Sequence, residues 1–263
     1  MFKIAATALP AQDFAQLAGL QSNIDALGPY PQAVAEGKRL WANKPTALFE
    51  RIRGTLENMC SGNIRCIYCE DSRGDEIEHM RPKDLYPETV FVWDNYVLAC
   101  GPCNGPKNNH FAVISAGTGQ LVDVTRKPKA AVEVPMGGQA ALINPRTEDP
   151  LTYLWLDFAT WRYVPNHDAG VDLLRAQYTI EVLRLNKRDE LLRGRRSAFS
   201  GFKGRLADYC SQASSWTQSE KDSFVADFRV ERYRTVWLEM IRQRSARPDI
   251  DGLLTQAPAA LTW

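Results

Sequence analysis

Four cysteines in this chain of 263 residues stand in two Cys-x-x-Cys pairs, Cys66-Ile-Tyr-Cys69 and Cys100-Gly-Pro-Cys103. One such pair can work as a redox dithiol. Two pairs bracketing one stretch favour a different chemistry, because two tight turns that each aim two sulfurs at one point close a tetrahedral zinc site. Four thiolates leave no open coordination position for water, so a zinc ion held this way is structural. The bracketed stretch carries groups that such a site does not need. Glu78-His79 sets a carboxylate beside the side chain that takes up a proton near neutrality, and carboxylate and carboxamide oxygens suit a hard divalent cation. Asn104, directly after the last cysteine, reads either as a helix N-cap or as an amide-oxygen ligand for the cation held by Glu78. Asn108 and His110 are further candidates for that place. Asn95 reads as a turn residue between strands or as part of the same site. Lys83, Lys107 and Arg81 could meet phosphate or stand as solvated charges. Neighbouring strand residues face opposite sides, so Glu78 and His79 can serve one centre only if the chain leaves strand geometry at His79; Pro82 is close enough to allow this.

The elements that must position these groups follow from the apolar pattern. Leu48, Phe49, Ile52, Leu56 and Met59 recur at helical spacing, predicting a helix over 47–59 that delivers the chain to the first cysteine pair. Residues 76–99 read as extended with breaks at Pro82 and Pro87, and the β-branched and aromatic run 90–99 predicts a strand. A short helix over 106–111 is expected next, with Gly105-Pro106 at its start. The order is strand, strand, helix, pinned by the cysteine pairs. Residues 112–165, cut by Gly137-Gly138, Asn144-Pro145 and Asp149-Pro150, read as hairpins and loops. Helices are expected over 172–196, 198–211 and 219–244, the last opened by the capping box Thr217-Gln-Ser-Glu220.

Composition narrows the classes. An apolar fraction of 44% with seven Trp supplies an ordinary buried core. A formal net charge of +1 gives no whole-molecule field to attract a polyanion. A local excess runs from Arg184 to Arg205, where Lys187, Arg188, Arg193, Arg195, Arg196, Lys203 and Arg205 face only Asp189 and Glu190; it reads as phosphate contact, partner contact or a solvated helix face. The first residues are too weakly apolar for a signal peptide, no run of about eighteen apolar residues exists, and six cysteines do not make a disulfide scaffold in a chain this long. Cytoplasmic location and no membrane contact are the expectation. Cys60 and Cys210 read as plain thiols.

Taken together, Cys-x-x-Cys, Glu-His-x-x-Pro-Lys, Trp-x-Asn and Cys-x-x-Cys-Asn-x-x-Lys resemble the HNH endonuclease family in its form with four zinc-binding cysteines, over about residues 60–112. The resemblance implies an α+β fold with a small ββα-metal core, N-terminal helices and a mainly helical C-terminal region. It implies His79 as general base, Glu78 and Asn104 as holders of a catalytic Mg2+ or Mn2+, Asn95 as the brace of the loop carrying His79, and structural Zn2+ on Cys66, Cys69, Cys100 and Cys103. Glu78 stands where Asp is common in the family. Leu142-Ile-Asn-Pro145, Glu148-Asp-Pro150, the stretch Arg175 to Asn186 and Leu191 to Arg196 are similar to the tail of one subgroup, the PtuB-type nucleases of Septu and retron anti-phage systems, which work beside an ABC-type ATPase of the PtuA kind. The expected organisation is an extension over 1–45, a nuclease core over 46–115, hairpins over 116–165 and a helical region over 166–263 for partner docking or nucleic-acid support. DNA is the expected substrate, with a dimer or hetero-oligomer needed for double-strand cleavage. An RNase on the same fold and an inert zinc-stapled binding module are the alternatives; only the enzymes need Glu78, His79 and Asn104 together.

Overall fold

The hairpin expected between the cysteine pairs lies at the centre of a computed structural model that describes residues 1–60 and 63–263. Residues 61 and 62, inside the expected 46–115 segment, lie outside the described residues. Strand β1 (Glu76–His79) pairs antiparallel with β2 (Tyr96–Ala99), with Ile77 opposite Leu98 and His79 opposite Tyr96. Three helices precede them: α1 (Ala11–Asp25), α2 (Tyr30–Ala42) and α3 (Thr46–Asn58). Helix α3 buries Leu48, Phe49, Ile52 and Leu56, the stripe read from the sequence, and lies against β2.

Two local expectations are corrected. The run 90–99 is a strand only from Tyr96; Trp93–Asn95 is a turn of 3-10 helix whose Asn95 amide donates to Val92. Helix α4 spans Gly101–Lys107 rather than 106–111. Its N-cap is Cys100, in extended backbone, whose carbonyl accepts from the amides of Cys103 and Asn104. Pro102, not Pro106, therefore fills the first-turn place where proline is tolerated, and Asn104 lies inside the helix rather than at its cap. The helix stops at Asn108, whose φ of 37° breaks the right-handed path.

Beyond α4 come β3 (Ala112–Ile114), β4 (Leu121–Asp123) and β5 (Gln139–Ala140) in one small sheet with β3 central. A single turn, α5 (Pro150–Tyr153), leads into the hairpin β6 (Leu154–Asp157) and β7 (Arg162–Pro165). The C-terminal region is helical: α6 (Gly170–Val182), α7 (Asp189–Gln212), α8 (Gln218–Arg229), α9 (Arg234–Arg242) and α10 (Pro248–Gln256). The breaks fall elsewhere than expected, at 183–188 and 230–233, where Arg184 and Tyr233 take left-handed backbone. The capping box of Thr217 and Glu220 opens α8 as expected. The fold is thus mixed helix and small sheets, an α+β class.

A single cluster of buried side chains runs from Met1 through the hairpin to Trp263. Among the described residues no helix is long and apolar enough to cross a membrane. Tail residues tie the C-terminal half to the hairpin. Arg146, stacked on Trp93, donates to the carbonyls of Trp93 and Tyr96 and to Asp94. Arg175 grips Glu148 with two hydrogen bonds of 2.6 and 2.7 Å. Asn186 donates to the Tyr163 carbonyl and accepts from its amide, tying the break between α6 and α7 onto β7.

Glu70, the residue after the first cysteine pair, is a second tie. It sits at φ 62°, a left-handed conformation that costs a non-glycine residue about 1–2 kcal/mol. In return its buried carboxylate accepts from the amino group of Met1 at 2.8 Å and from the Thr235 amide at 3.0 Å. Removing it in Glu70→Ala leaves a buried cation and a buried amide unpaired. We expect a loss of about 3–5 kcal/mol, the cost of breaking a buried ion pair from one side, read by denaturant unfolding.

Candidate functional site

The first cysteine pair hangs on the hairpin through backbone bonds. The Ile67 amide donates to the Leu98 carbonyl, the Asp75 amide to that of Ala99, and the Cys66 amide to that of Ser72. Gly74 passes so close to β2 that an added Cβ would meet Leu98 at 2.8 Å, so a side chain there would push the turn off the strand. The second pair straddles the β2–α4 junction. All four sulfurs are buried and their ligand atoms lie within 4.8 Å of one another, with 3.7 Å between Cys69 and Cys100. None is in a disulfide, and Cys60 and Cys210 stand apart, half-buried, on backbone carbonyls. A donor set of four sulfurs from two turns fits zinc.

On the other side of the hairpin lies a narrow polar cleft of about 150 Å³, lined by Trp41, Glu78, His79, Lys83, Asn104 and Asn108 among others. Strand pairing continues through His79, so the departure expected there comes later, after the Met80 amide has bonded to the Asn95 carbonyl at 2.9 Å. Glu78 and His79 nonetheless line the same cleft, because His79 is the last paired residue of the strand. His110 does not line it.

His79 is buried. Its Nε2 lies 2.9 Å from the Val90 carbonyl. A carbonyl can only accept, so Nε2 carries the hydrogen and Nδ1 keeps the lone pair. The Trp41 ring meets the imidazole edge-on at 4.3 Å between centroids, with Tyr96 at 5.2 Å. Burial, then the positive charge of Lys83, push the imidazole down to about 3, against the opposing pull of the Val90 carbonyl. It is therefore neutral in the folded chain at pH 7. The unfolded chain takes up a proton near pH 6.5, so the stability linked to neutral His79 is complete above that pH and is lost as pH falls towards about 3. In thermal melts between pH 7 and pH 4 we expect His79→Asn to lose less stability than wild type. Parallel curves would contradict this.

Asn95 is buried and fully used. Its Oδ1 accepts from the Arg81 amide at 2.7 Å, and its Nδ2 donates to the carbonyls of Arg81 and Thr89, each at 3.0 Å. It thereby clamps both ends of the loop that leaves His79. Glu78 is buried against the ammonium of Lys107; burial pushes its carboxyl up, and Lys107 pulls it back. Lys107, fully buried, also donates to the His79 carbonyl at 2.8 Å. Lys107 is therefore not placed to meet phosphate as the sequence suggested: its charge is spent on balancing Glu78. Lys83 is only partly buried and lines the cleft. Asn104 donates from Nδ2 to Glu76 at 2.6 Å, so its carboxamide oxygen is the atom that could meet a cation. Glu78 and Asn104 are thus brought to one cleft but bonded to different partners. One buried carboxylate with carboxamide oxygens in a polar cleft is a donor set that fits a hard divalent cation.

Most of the cations in the basic run from Arg184 to Arg205 have partners within the fold. Lys187 pairs with Glu181, Lys203 with Asp249 and Arg205 with Glu231. Arg195 is fully buried and donates to the carbonyls of Trp161 and Leu185, while Arg188 donates to the sulfur of Cys103. Arg193 and Arg196 remain exposed.

No family model matches the chain. It is similar to the Septu protein PtuB of Bacillus thuringiensis. The two are 30% identical over 135 residues, which is 49% of this chain and 40% of that relative. The chain therefore spans about two-fifths of the length of the curated relative it matches.

Sequence reasoning missed four residues that the fold makes central: Trp41 against His79, Glu70 under the first cysteine pair, Arg146 across the Trp93–Tyr96 turn and Arg188 on Cys103. Only Glu70 and Arg188 had a local signal, one next to a cysteine pair and the other within the basic run.

Proposed function

We propose that this chain is a metal-dependent HNH endonuclease of the ββα-metal type that hydrolyses DNA phosphodiester bonds as the nuclease effector of a Septu-type anti-phage system. The observation that carries the reading is the convergence of Glu78, His79 and Asn104 on one polar cleft behind a hairpin and helix that four cysteines hold together. An inert zinc-stapled module would need the cysteines alone.

His79 is the general base. With Nε2–H tied to Val90, the lone pair on Nδ1 is free to take a proton from the attacking water. In the empty cleft, burial and the Lys83 ammonium hold the imidazole weakly basic; the negative charge of an arriving phosphodiester offsets that ammonium and raises the imidazole towards its working range. Asn95 keeps the loop behind His79 in place, and Trp41 fixes the plane of the ring. Lys83 meets the phosphate. Glu78 and Asn104 would hold Mg2+ or Mn2+, which when bound stabilises the developing phosphorane charge and the leaving oxygen. With a divalent cation at Glu78, Lys107 continues to brace the carboxylate and the His79 carbonyl from behind.

Similarity to the Septu protein PtuB, with the tail motif joined here through Glu148, Arg175 and Asn186, supports placing the chain beside an ABC-type ATPase of the PtuA kind. The weak net charge leaves recruitment to DNA to that partner. The test is co-expression of this chain with an ABC-type ATPase of the PtuA kind, followed by affinity purification: a complex is expected, and two proteins that elute apart would remove the partner from the account. Glu78→Gln is expected to lower nicking in Mg2+ at least 100-fold, because a neutral amide holds a hard cation poorly. Equal rates across a magnesium titration would remove Glu78 from the site.

A further inference from the structure

Arg188 reaches the cysteine cluster from outside the stretch that holds it. It is the N-cap residue of α7, 85 residues beyond Cys103, and its guanidinium donates to the Cys103 sulfur at 3.0 Å. Cys103 is fully buried, and the Arg188 Nε is itself buried with no hydrogen-bond partner among the described residues. A guanidinium keeps its charge under all ordinary conditions, and a neutral thiol is a poor acceptor. Drawing this cation partly out of water onto sulfur, with one nitrogen left unpaired, is therefore favourable only if the sulfur is a thiolate. Four thiolates around one divalent ion carry two surplus negative charges in a buried place, and a single arginine offsets half of them.

We propose that Arg188 is the outer charge partner of the four-cysteine cation site, a positioning residue that the helical C-terminal region contributes to zinc retention. This rests on the cysteine cluster holding zinc. Groups just outside a metal's ligands orient them and tune their basicity, and their loss commonly weakens metal binding about 10- to 100-fold. The contact also gives α7 a role distinct from docking: its N-cap residue bonds a sulfur of the cluster, so zinc occupancy and seating of the helical region support each other.

The test uses the full chain, loaded with zinc and separately with Co2+. Arg188→Ala is expected to release zinc to a chromogenic chelator about 10- to 100-fold more readily, and to move the thiolate-to-cobalt absorption band, which a purely structural role would leave in place. Arg188→Lys, which keeps the charge, is expected to recover part of the retention. Arg188→Gln, which keeps a donor and most of the volume without the charge, is expected to behave like Arg188→Ala while its far-ultraviolet circular dichroism stays that of wild type. Unchanged zinc retention and an unchanged cobalt band in folded Arg188→Gln would overturn the assignment. A wild-type chain that binds neither metal would overturn the zinc reading itself, a result distinguishable from the first.

Discussion

Cys103→Ser is expected to strip the zinc and abolish cooperative unfolding of the stretch from Cys66 to Lys107. A serine hydroxyl does not replace a thiolate at zinc, and the remaining three sulfurs would face Arg188 and one another without a cation. The magnitude follows from what else holds this stretch. Strands β1 and β2 pair over four residues each, and α4 has seven; elements this short are not independently stable. A structural zinc contributes roughly 10–16 kcal/mol of apparent binding energy in small zinc domains. A whole domain is stable by only about 5–15 kcal/mol. Loss of the cation therefore removes a quantity comparable to all the stability there is. The readouts are elemental analysis and limited proteolysis, with new cleavage expected between residues 66 and 107. A zinc-free variant that melts like wild type would show that the surrounding core, not the cation, carries the hairpin.

The second large effect falls on chemistry with the fold retained. His79→Ala is expected to lower the rate of plasmid nicking by about 10²–10⁴-fold, the usual contribution of a general base. The acidic and amide groups that line the cleft with His79 cannot take over. Glu78 is engaged by Lys107, and the asparagine amides do not accept a proton. The substitution also removes the ring that Trp41 and Tyr96 pack against, so some stability is lost with it. Zinc content is expected to stay at the wild-type value, because no cysteine is among the described residues that line the cleft. That combination, activity gone and zinc kept, separates a lost base from a collapsed hairpin.

What the sequence made legible were the groups whose partners lie close along the chain. The cysteine pairs declare themselves through two-residue spacing, the carboxylate and imidazole through adjacency, and α3 through an apolar stripe that needs no knowledge of its partner. The start of α4 is misplaced because Gly105-Pro106 offers a first-turn proline, whereas here an extended Cys100 supplies the cap and Pro102 the first turn. Lys107 reads as a phosphate contact or a solvated charge; its burial depends on Glu78, 29 residues earlier. The partners of the basic run were hidden for the same reason. Four of its cations meet Glu181, Asp249, Glu231 and Cys103, and all four of those partners lie outside the run in which the excess was counted. Trp41, Glu70 and Arg146 act across separations that no local pattern encodes. The left-handed Glu70 is the sharpest instance, since glycine would be the ordinary choice at that backbone and only the remote Met1 and Thr235 explain the carboxylate.

The central claim is that the cleft beside the zinc-stapled hairpin hydrolyses phosphodiester bonds with His79 as base. The most direct measurement is nicking of supercoiled plasmid in Mg2+ or Mn2+ by the zinc-loaded chain with the proposed ATPase partner, compared with the same mixture carrying His79→Ala and with zinc measured in both. The expected result is divalent-dependent nicking by wild type that falls at least 100-fold in the variant at equal zinc content. Nicking that survives the substitution, or a wild-type complex that leaves the plasmid intact, would contradict the account.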